Sequence, residues 1–269
     1  MASRRLDAAL ADRGLARSRT HAATLIASGL VTVDGRPVVK PSTKVDDEQT
    51  VEVAASDHYV SRAAHKLISA LDGFGVDPAD RVVLDAGAST GGFSQVLLER
   101  GARAVLAVDV GHGQLAAELF GAPRLVLVEG CNVRSLDRAS LAALSGVDEP
   151  PSLVTADLSF ISLTTVLPAL IATAADGAEF VLLVKPQFEV GRAGVREGIV
   201  HDAALRSEAV AGVLWAAHDL GVGTVGVMSS PIAGTRGNHE YLVHLDAARG
   251  VNPTEWMRQV EQMTGDATK

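Results

Sequence analysis

Residues 82–93 read VVLDAGASTGGF: an apolar run, an acid at Asp85, a glycine-rich turn and the start of a helical pattern. Glycines in such a turn let a ligand approach the backbone, and the helix start offers unpaired N–H groups. The spacing is not Gly-x-Gly-x-x-Gly, and the Gly-Lys-Ser/Thr ending of a P-loop is missing. An acid ahead of the first glycine suits a ligand with positive charge near the turn. The amino group and sulfonium of S-adenosylmethionine meet that requirement, whereas the pyrophosphate of NAD does not. Asp109 ends the next strand pattern, where an acid accepts bonds from both hydroxyls of a ribose.

A second set of residues carries proton chemistry. Asp157 ends LVTAD and Lys185 ends FVLLVK, at the carboxyl ends of strands, where open α/β sheets bind ligands. Glu240 begins a last strand expected to run antiparallel, so it enters the same crevice. Lys66 arrives from the helix that precedes the sheet. Two lysines and two acids make a near-neutral cluster, a tolerable way to bury charge. Taken singly, each residue reads more readily as a solvated surface group, and only their common placement points to a site. Phe160 and Phe188 admit either core packing or contact with a base or cofactor. His21, His58, His201 and His218 lack metal-ligand spacing, and no nucleophile elbow or Cys/His pair is present. No metal is expected.

The elements that position these residues alternate. Strands are predicted at Val82–Ala86, Ala104–Asp109, Leu125–Val128, Leu153–Asp157, Phe180–Lys185, Gly223–Met228 and Glu240–Leu245. Helices fit at roughly 92–100, 113–120, 162–175 and 203–220. This is an α/β pattern, a Rossmann-like parallel sheet with helices on both faces. The last strand follows its predecessor after only the turn-rich SSPIAGTRGNH, so that pair is antiparallel.

Ahead of the sheet lies a small α+β segment. Leu6, Ala9 and Leu10 share a helical face. Ser18 caps a second helix with Ala22, Leu25 and Ile26 on one side. Asp34-Gly35 then joins two alternating strands, and TVEVA follows at 50–54. The boundaries expected are 1–55 for this domain, 56–62 for a linker, 63–250 for the sheet domain, and 251–269 for a terminal helix and tail.

Composition fits this division. The 269 residues are 47% hydrophobic and 21% charged, ordinary for a folded chain. The single cysteine, Cys131, excludes a disulfide scaffold and fits a reducing cytoplasm. The most apolar windows, 166–175 and 180–184, fall short of the roughly 18 residues of a membrane span. Net charge is −8, yet residues 1–44 hold eight Lys/Arg against three acids, and the remainder holds sixteen against twenty-nine. A basic module on an acidic body suggests an arm for an anionic partner.

The chain resembles the TlyA-type, or hemolysin A, family of ribosomal RNA 2′-O-methyltransferases over essentially its whole length. The resemblance is carried by ARSRTHAATLIASGLVTVDG, VSRAAHKL, LDAGASTGGF, VDVGHGQL, ADLSFISL, LVKPQFEVG, GIVHD and GNHEYL. It implies an S4-type RNA-binding domain joined to an FtsJ-like methyltransferase domain. The family's Lys-Asp-Lys-Glu catalytic set falls on Lys66, Asp157, Lys185 and Glu240. The S-adenosylmethionine site implied comprises Asp85, Ala86, Gly87, Ser89, Gly91, Gly92, Phe93, Asp109, Val110, Asn132, Val133 and Asp157. RNA-facing positions fall on Arg5, Arg19 and Lys40, with Arg4 and Arg17 as neighbours, and on Arg134 and Arg192 of the catalytic domain. Arg192 replaces a lysine, and the family's Trp-containing linker reads His58-Tyr59-Val60 here.

The resemblance further implies methylation of cytidine in 16S and 23S RNA of the 30S and 50S subunits, sensitising ribosomes to capreomycin-type drugs such as viomycin. Lys185 is the expected base, with Asp157 orienting it and Glu240 holding Lys66. The target nucleoside is expected to be flipped out of its helix. Two rival readings are a membrane-active hemolysin, for which no span is found, and a non-catalytic RNA-binding assembly factor. A pseudouridine synthase shares the S4 module and echoes Arg5-Leu6-Asp7, but has no use for the DAGASTGG loop.

Overall fold

The computed structural model describes residues 3–16, 18–27, 29–53, 58–191, 194–234 and 236–265. The chain forms two compact units, Met1–Arg62 and Ala63–Lys269. In the first, β1 (Arg4–Arg5) leads into α1 (Leu6–Asp12) and α2 (Arg19–Ala27), followed by β2 (Val31–Val33), β3 (Arg36–Pro37), β4 (Lys44–Val45) and β5 (Val51–Val53). β2 pairs antiparallel with β3 across the expected Asp34-Gly35 turn, and with β5 on its other side. Leu6, Ala9, Leu10, Ala22, Leu25 and Ile26 pack with Val31, Val45 and Val51 into one small core. Ser18 Oγ accepts the His21 amide, which is the cap expected for α2. The β1–β4 pair was not expected, because two-residue strands carry no alternation to read. Of the expected linker, residues 54–57 lie outside the described residues, and 58–62 belong to the first unit.

The second unit opens with α3 (Ala63–Phe74), then β6 (Val82–Ala86), α4 (Gly92–Glu99), β7 (Ala104–Val108), β8 (Leu125–Val128) and α5 (Arg138–Ser145). It continues through β9 (Leu153–Ala156), α6 (Leu163–Thr173), β10 (Glu179–Val184), the one-turn α7 (Pro186–Glu189), α8 (Ala203–Asp219), β11 (Gly223–Ser229), β12 (Tyr241–Asp246) and α9 (Met257–Gly265). The seven strands lie in the order β11-β12-β10-β9-β6-β7-β8. β6 pairs parallel with both β7 and β9, so strand order reverses there. β12 is inserted between β10 and β11, antiparallel to each. The core strands are apolar on both faces, as a sheet covered by helices requires.

One expectation needs correction. The helix predicted at 113–120 is only a 3-10 turn over Ala117–Leu119, because Ala116 before it is extended. The terminal helix expected in 251–269 forms as α9, and it packs on the sheet. Val260 of α9 is fully buried in the main core, Trp256 Nε1 donates to Thr224 O at 3.1 Å, and Gln259 Nε2 donates to Val227 O at 2.8 Å. These contacts cover β11, which would otherwise be a bare edge strand. α5 was missed as well. Its signal was Asp137 and Ser140 capping each other reciprocally.

Candidate active site

Three of the four ionisable residues reach the crevice because of strand direction. Asp157 follows β9, Lys185 follows β10, and Glu240 immediately precedes the antiparallel β12. Lys66 projects from α3, an amphipathic helix that buries Ala64, Leu67, Ala70 and Leu71 alongside it. Lys66 Nζ donates to Glu240 Oε2 at 2.6 Å and lies 3.7 Å from Asp157 Oδ2. Lys185 Nζ lies 2.5 Å from Asp157 Oδ1 and donates to Ser159 Oγ at 3.0 Å. The side chains of Lys66, Asp157, Lys185 and Glu240 are 6, 15, 10 and 3% exposed. Two cations and two anions thus share one buried site, and each lysine has its own carboxylate. Such a row keeps its charges paired, and only a lysine in its neutral amine form can take up a proton there.

The glycine-rich turn lies beside this row, at the point where strand order reverses. Gly87 adopts φ +84°, and a Cβ there would meet Asp157 O at 3.0 Å and Leu158 Cδ2 at 2.9 Å. Only glycine lets the turn pass this close to the β9 loop. Asp109 fixes the turn from the other side. Its Oδ2 accepts the Ser89 amide at 2.8 Å and its Oδ1 accepts the Gly111 amide at 2.7 Å. Each carboxylate oxygen keeps a further lone pair. The 109–111 and 130–132 loops are zipped by Gly130 N to Gly111 O at 3.2 Å and Cys131 N to Asp109 O at 3.0 Å. Val110 stands exposed on this rim, and Asn132 caps the following 3-10 turn by accepting the Arg134 amide.

Not every residue expected at the ligand faces it. Ala86, Phe93 and Val133 are buried in the fold beneath the rim. Gly91 and Gly92 form the entry to α4. Asp85 has no exposed surface; it accepts from Ser94 Oγ at 2.6 Å and Thr155 Oγ1 at 3.4 Å. Burial pushes its carboxyl up to about 7, and repulsion from Asp157 adds to this. The expected direct contact between Asp85 and a ligand cation therefore gives way to support of the turn from below.

Sequence patterns left several residues unassigned. Gln114 Oε1 accepts from Ser89 Oγ at 3.2 Å, and its amide lies where a Gly111 Cβ would sit. Phe160 is 91% exposed, which decides against core packing. It holds φ +66° and its ring lies 5.4 Å from Phe188. Glu189 clamps this wall: its carboxylate accepts Ser162 Oγ at 2.6 Å and the Leu163 amide at 2.8 Å. Burial raises the Glu189 pKa. Periodicity carries no mark of these contacts, because they lie in loops and in the one-turn α7 that follow strands.

Comparison with protein families matches residues 59–247 to the FtsJ-like methyltransferases and residues 4–51 to the S4 domain. The chain belongs to the FtsJ-like methyltransferase family. A 16S/23S rRNA (cytidine-2′-O)-methyltransferase TlyA from Mycobacterium tuberculosis is 51% identical over 244 residues, 90% of this chain and 89% of its own. Hemolysin A from Brachyspira hyodysenteriae is 38% identical over 89% of this chain and 98% of its own. A solved hemolysin structure from Streptococcus thermophilus aligns over 99% of this chain and 96% of its own, with 35% identity and a TM-score of 0.76.

In this methyltransferase the S4 unit presents its cations with built-in counter-charge. Asp7, buried at the start of α1, accepts both arms of the Arg5 guanidinium, Nε at 3.0 Å and Nη2 at 2.9 Å. Arg19 Nη2 reaches the same carboxylate at 3.4 Å. Arg4 pairs with Asp12 and Asp47. The Arg5 fork holds Asp7 down at about 2. Lys40 is exposed, as is Arg134 on the catalytic unit. Arg17 and Arg192 lie outside the described residues. Among the described residues no helix is long and apolar enough to cross a membrane, and no cluster of metal-ligating side chains is present.

Proposed function

We propose that this enzyme methylates the ribose 2′-hydroxyl of cytidines in ribosomal RNA of the 30S and 50S subunits, in the cytoplasm, using S-adenosylmethionine. The observation that carries this reading is the paired row Glu240–Lys66–Asp157–Lys185 beside the turn held by Asp109. The 16S/23S name of the Mycobacterium tuberculosis relative, 51% identical, supports this choice of substrate.

The residues around the turn fit the cofactor. Asp109 retains lone pairs for two hydroxyls, and Val110 and Asn132 offer an apolar and a polar edge for a base. When bound, S-adenosylmethionine supplies an electrophilic methyl group. The chain supplies position and proton transfer. Lys185 Nζ, in its neutral amine form, takes the proton of the 2′-hydroxyl as the oxygen gains the methyl group, and Asp157 stabilises the ammonium that results. Lys66, held by Glu240, steers the oxygen by donating to it. Holding the hydroxyl at the reacting distance supplies much of the acceleration. Phe160 and Phe188 offer a stacking wall to an everted base.

The acidic methyltransferase body repels phosphate, so the S4 unit supplies the electrostatic grip. Arg5, Arg19 and Lys40 contact backbone phosphates, with Arg4 and Arg17 alongside, and Arg134 and Arg192 add contacts on the catalytic unit. Capreomycin and viomycin susceptibility follows from the modification.

The test is radiolabelled methyl transfer to unmodified 30S and 50S subunits, with Lys185→Ala alongside. Label in a 2′-O-methylcytidine, lost in the variant, is the expected result. Absence of label on both subunits, with cofactor binding intact, overturns the reading. The hemolysin name carried by a 38% identical relative defines the second reading. Vesicle leakage that persists in the Lys185→Ala protein would favour it.

A further inference from the structure

The cavity beside Lys185, about 250 Å³, is bounded by more than the charged row. Ser159, Phe160 and Phe188 line it from the loops after β9 and β10. Gly198, Arg236 and Asn238 line it from the 196–199 turn and the loop before β12. Arg81, Arg103, Arg138 and Arg249 elsewhere on this unit each pair with a carboxylate. Arg236 is exposed at the cavity, and no carboxylate among the described residues pairs with it.

Its position is nevertheless built. A Cβ on Gly198 would come within 2.7 Å of Arg236 Nη1 and 3.4 Å of its Cδ, so the side chain lies across bare glycine backbone. Gly198 also holds φ +83°, a conformation that excludes most side chains. Asn238, 3% exposed, locks the two loops together: its Nδ2 donates to Gly198 O at 2.7 Å and its Oδ1 accepts the Val200 amide at 3.1 Å. The guanidinium is therefore a pre-positioned cation without a counter-charge among the described residues.

A ribonucleotide has three handles: a flat base, a 2′-hydroxyl and a phosphate. Phe160 and Phe188 match the first and Lys185 the second. We propose that Arg236 binds a backbone phosphate flanking the nucleotide that is methylated, and so positions the ribose over Lys185. A planar fork of N–H donors matches phosphate oxygens in two-point contact. The assignment rests on the RNA methyltransferase reading above.

The experiment uses the full chain with unmodified 30S and 50S subunits as probe. Affinity is measured by filter binding between about 50 and 200 mM KCl for wild type, Arg236→Ala, Arg236→Lys and Arg103→Ala. Arg103 precedes β7, at the sheet end away from the cavity, so its loss controls for net charge. Arg236→Ala is expected to reduce the slope of log K against log[KCl] by about 0.7–0.9, the share of one phosphate. Arg236→Lys and Arg103→Ala are expected to keep the wild-type slope, and cofactor affinity by calorimetry is expected to be equal in all four. A wild-type slope in Arg236→Ala overturns the proposal, and a rate loss accompanied by that slope would assign the guanidinium to the base instead. If wild type methylates neither subunit, the functional reading fails on its own, and the slopes still decide the phosphate contact.

Discussion

Asp157 stands between two lysines: its Oδ1 lies 2.5 Å from Lys185 Nζ and its Oδ2 3.7 Å from Lys66 Nζ. Glu240, at 2.6 Å from Lys66, closes the row. The arrangement makes the four residues unequal. Lys185→Ala removes the proton acceptor and leaves Lys66 and Glu240 paired. The expected outcome is a loss of methyl transfer of about 10²–10⁴-fold, with subunit affinity close to wild type. Asp157→Ala strands a buried lysine and is expected to lose both activity and about 3–5 kcal/mol of stability. Single-turnover transfer and urea unfolding of the two variants separate these effects. Substantial transfer by Lys185→Ala would remove that lysine from the role of base.

Phe160 combines strain with exposure. A bulky residue at φ +66° is disfavoured by about 1–2 kcal/mol relative to the right-handed region. A 91% exposed ring recovers none of that through burial. Phe160→Gly is therefore expected to raise stability by about 1 kcal/mol. Loss of a base-stacking surface worth about 1–3 kcal/mol would lower kcat/KM on ribosomal subunits by roughly 5- to 150-fold. Phe160→Tyr is expected to retain activity. A stability gain without loss of transfer would reduce Phe160 to an accident of the loop.

The charged row and the turn were legible because strand ends are legible. A short apolar run followed by Asp157 or Lys185 states both the strand and the end on which its polar residue lies. Glu240 needed one further step, the antiparallel sense of β12, which the turn-rich connection supplies. What stayed hidden depends on loops or on depth. Asp85 reads as a ligand contact from its spacing, yet Ser94 and Thr155 enclose it, and a one-dimensional pattern does not encode enclosure. Gln114, Glu189 and Arg236 sit in connections whose paths are set by tertiary hydrogen bonds. The helix read at 113–120 failed for a local reason: Gly113 sits at φ +64° and Ala116 is extended, so the helical backbone is broken twice before Ala117.

The S4 unit carries a pH-sensitive pair whose sign follows from the shift. Asp7 is held at about 2 in the folded chain, below its ordinary 3.8, mainly by the Arg5 side chain. Its stabilising contribution is therefore complete above about 4 and is lost as pH falls through about 2. Asp7→Asn is expected to remove that component. Amide NMR signals of residues 4–53, followed during acid titration, would report it without interference from the second unit. Arg5→Ala and Arg19→Ala are each expected to flatten the salt dependence of subunit binding by about 0.7–0.9 in slope. An unchanged slope in both would take RNA binding away from this surface.

Asp85 gives a second titration with the opposite sign. Burial places its folded pKa at about 7, above the ordinary 3.8, so between those values the folded chain holds a proton that the unfolded chain releases. Its contribution to stability is full below about 4, declines as pH rises, and levels off above about 7. Trp215 and Trp256, the two tryptophans of the chain, both lie in the second unit, so their fluorescence during urea unfolding reads this domain alone. Asp85→Asn is expected to lose that decline. A cationic ligand at the neighbouring turn favours the ionised carboxylate, so S-adenosylmethionine affinity is expected to tighten as pH rises through about 7 in wild type and to be flat over that range in Asp85→Asn. Identical pH profiles for the two proteins would show that the Asp85 charge does not reach the ligand, leaving the residue as a support for the turn and nothing more.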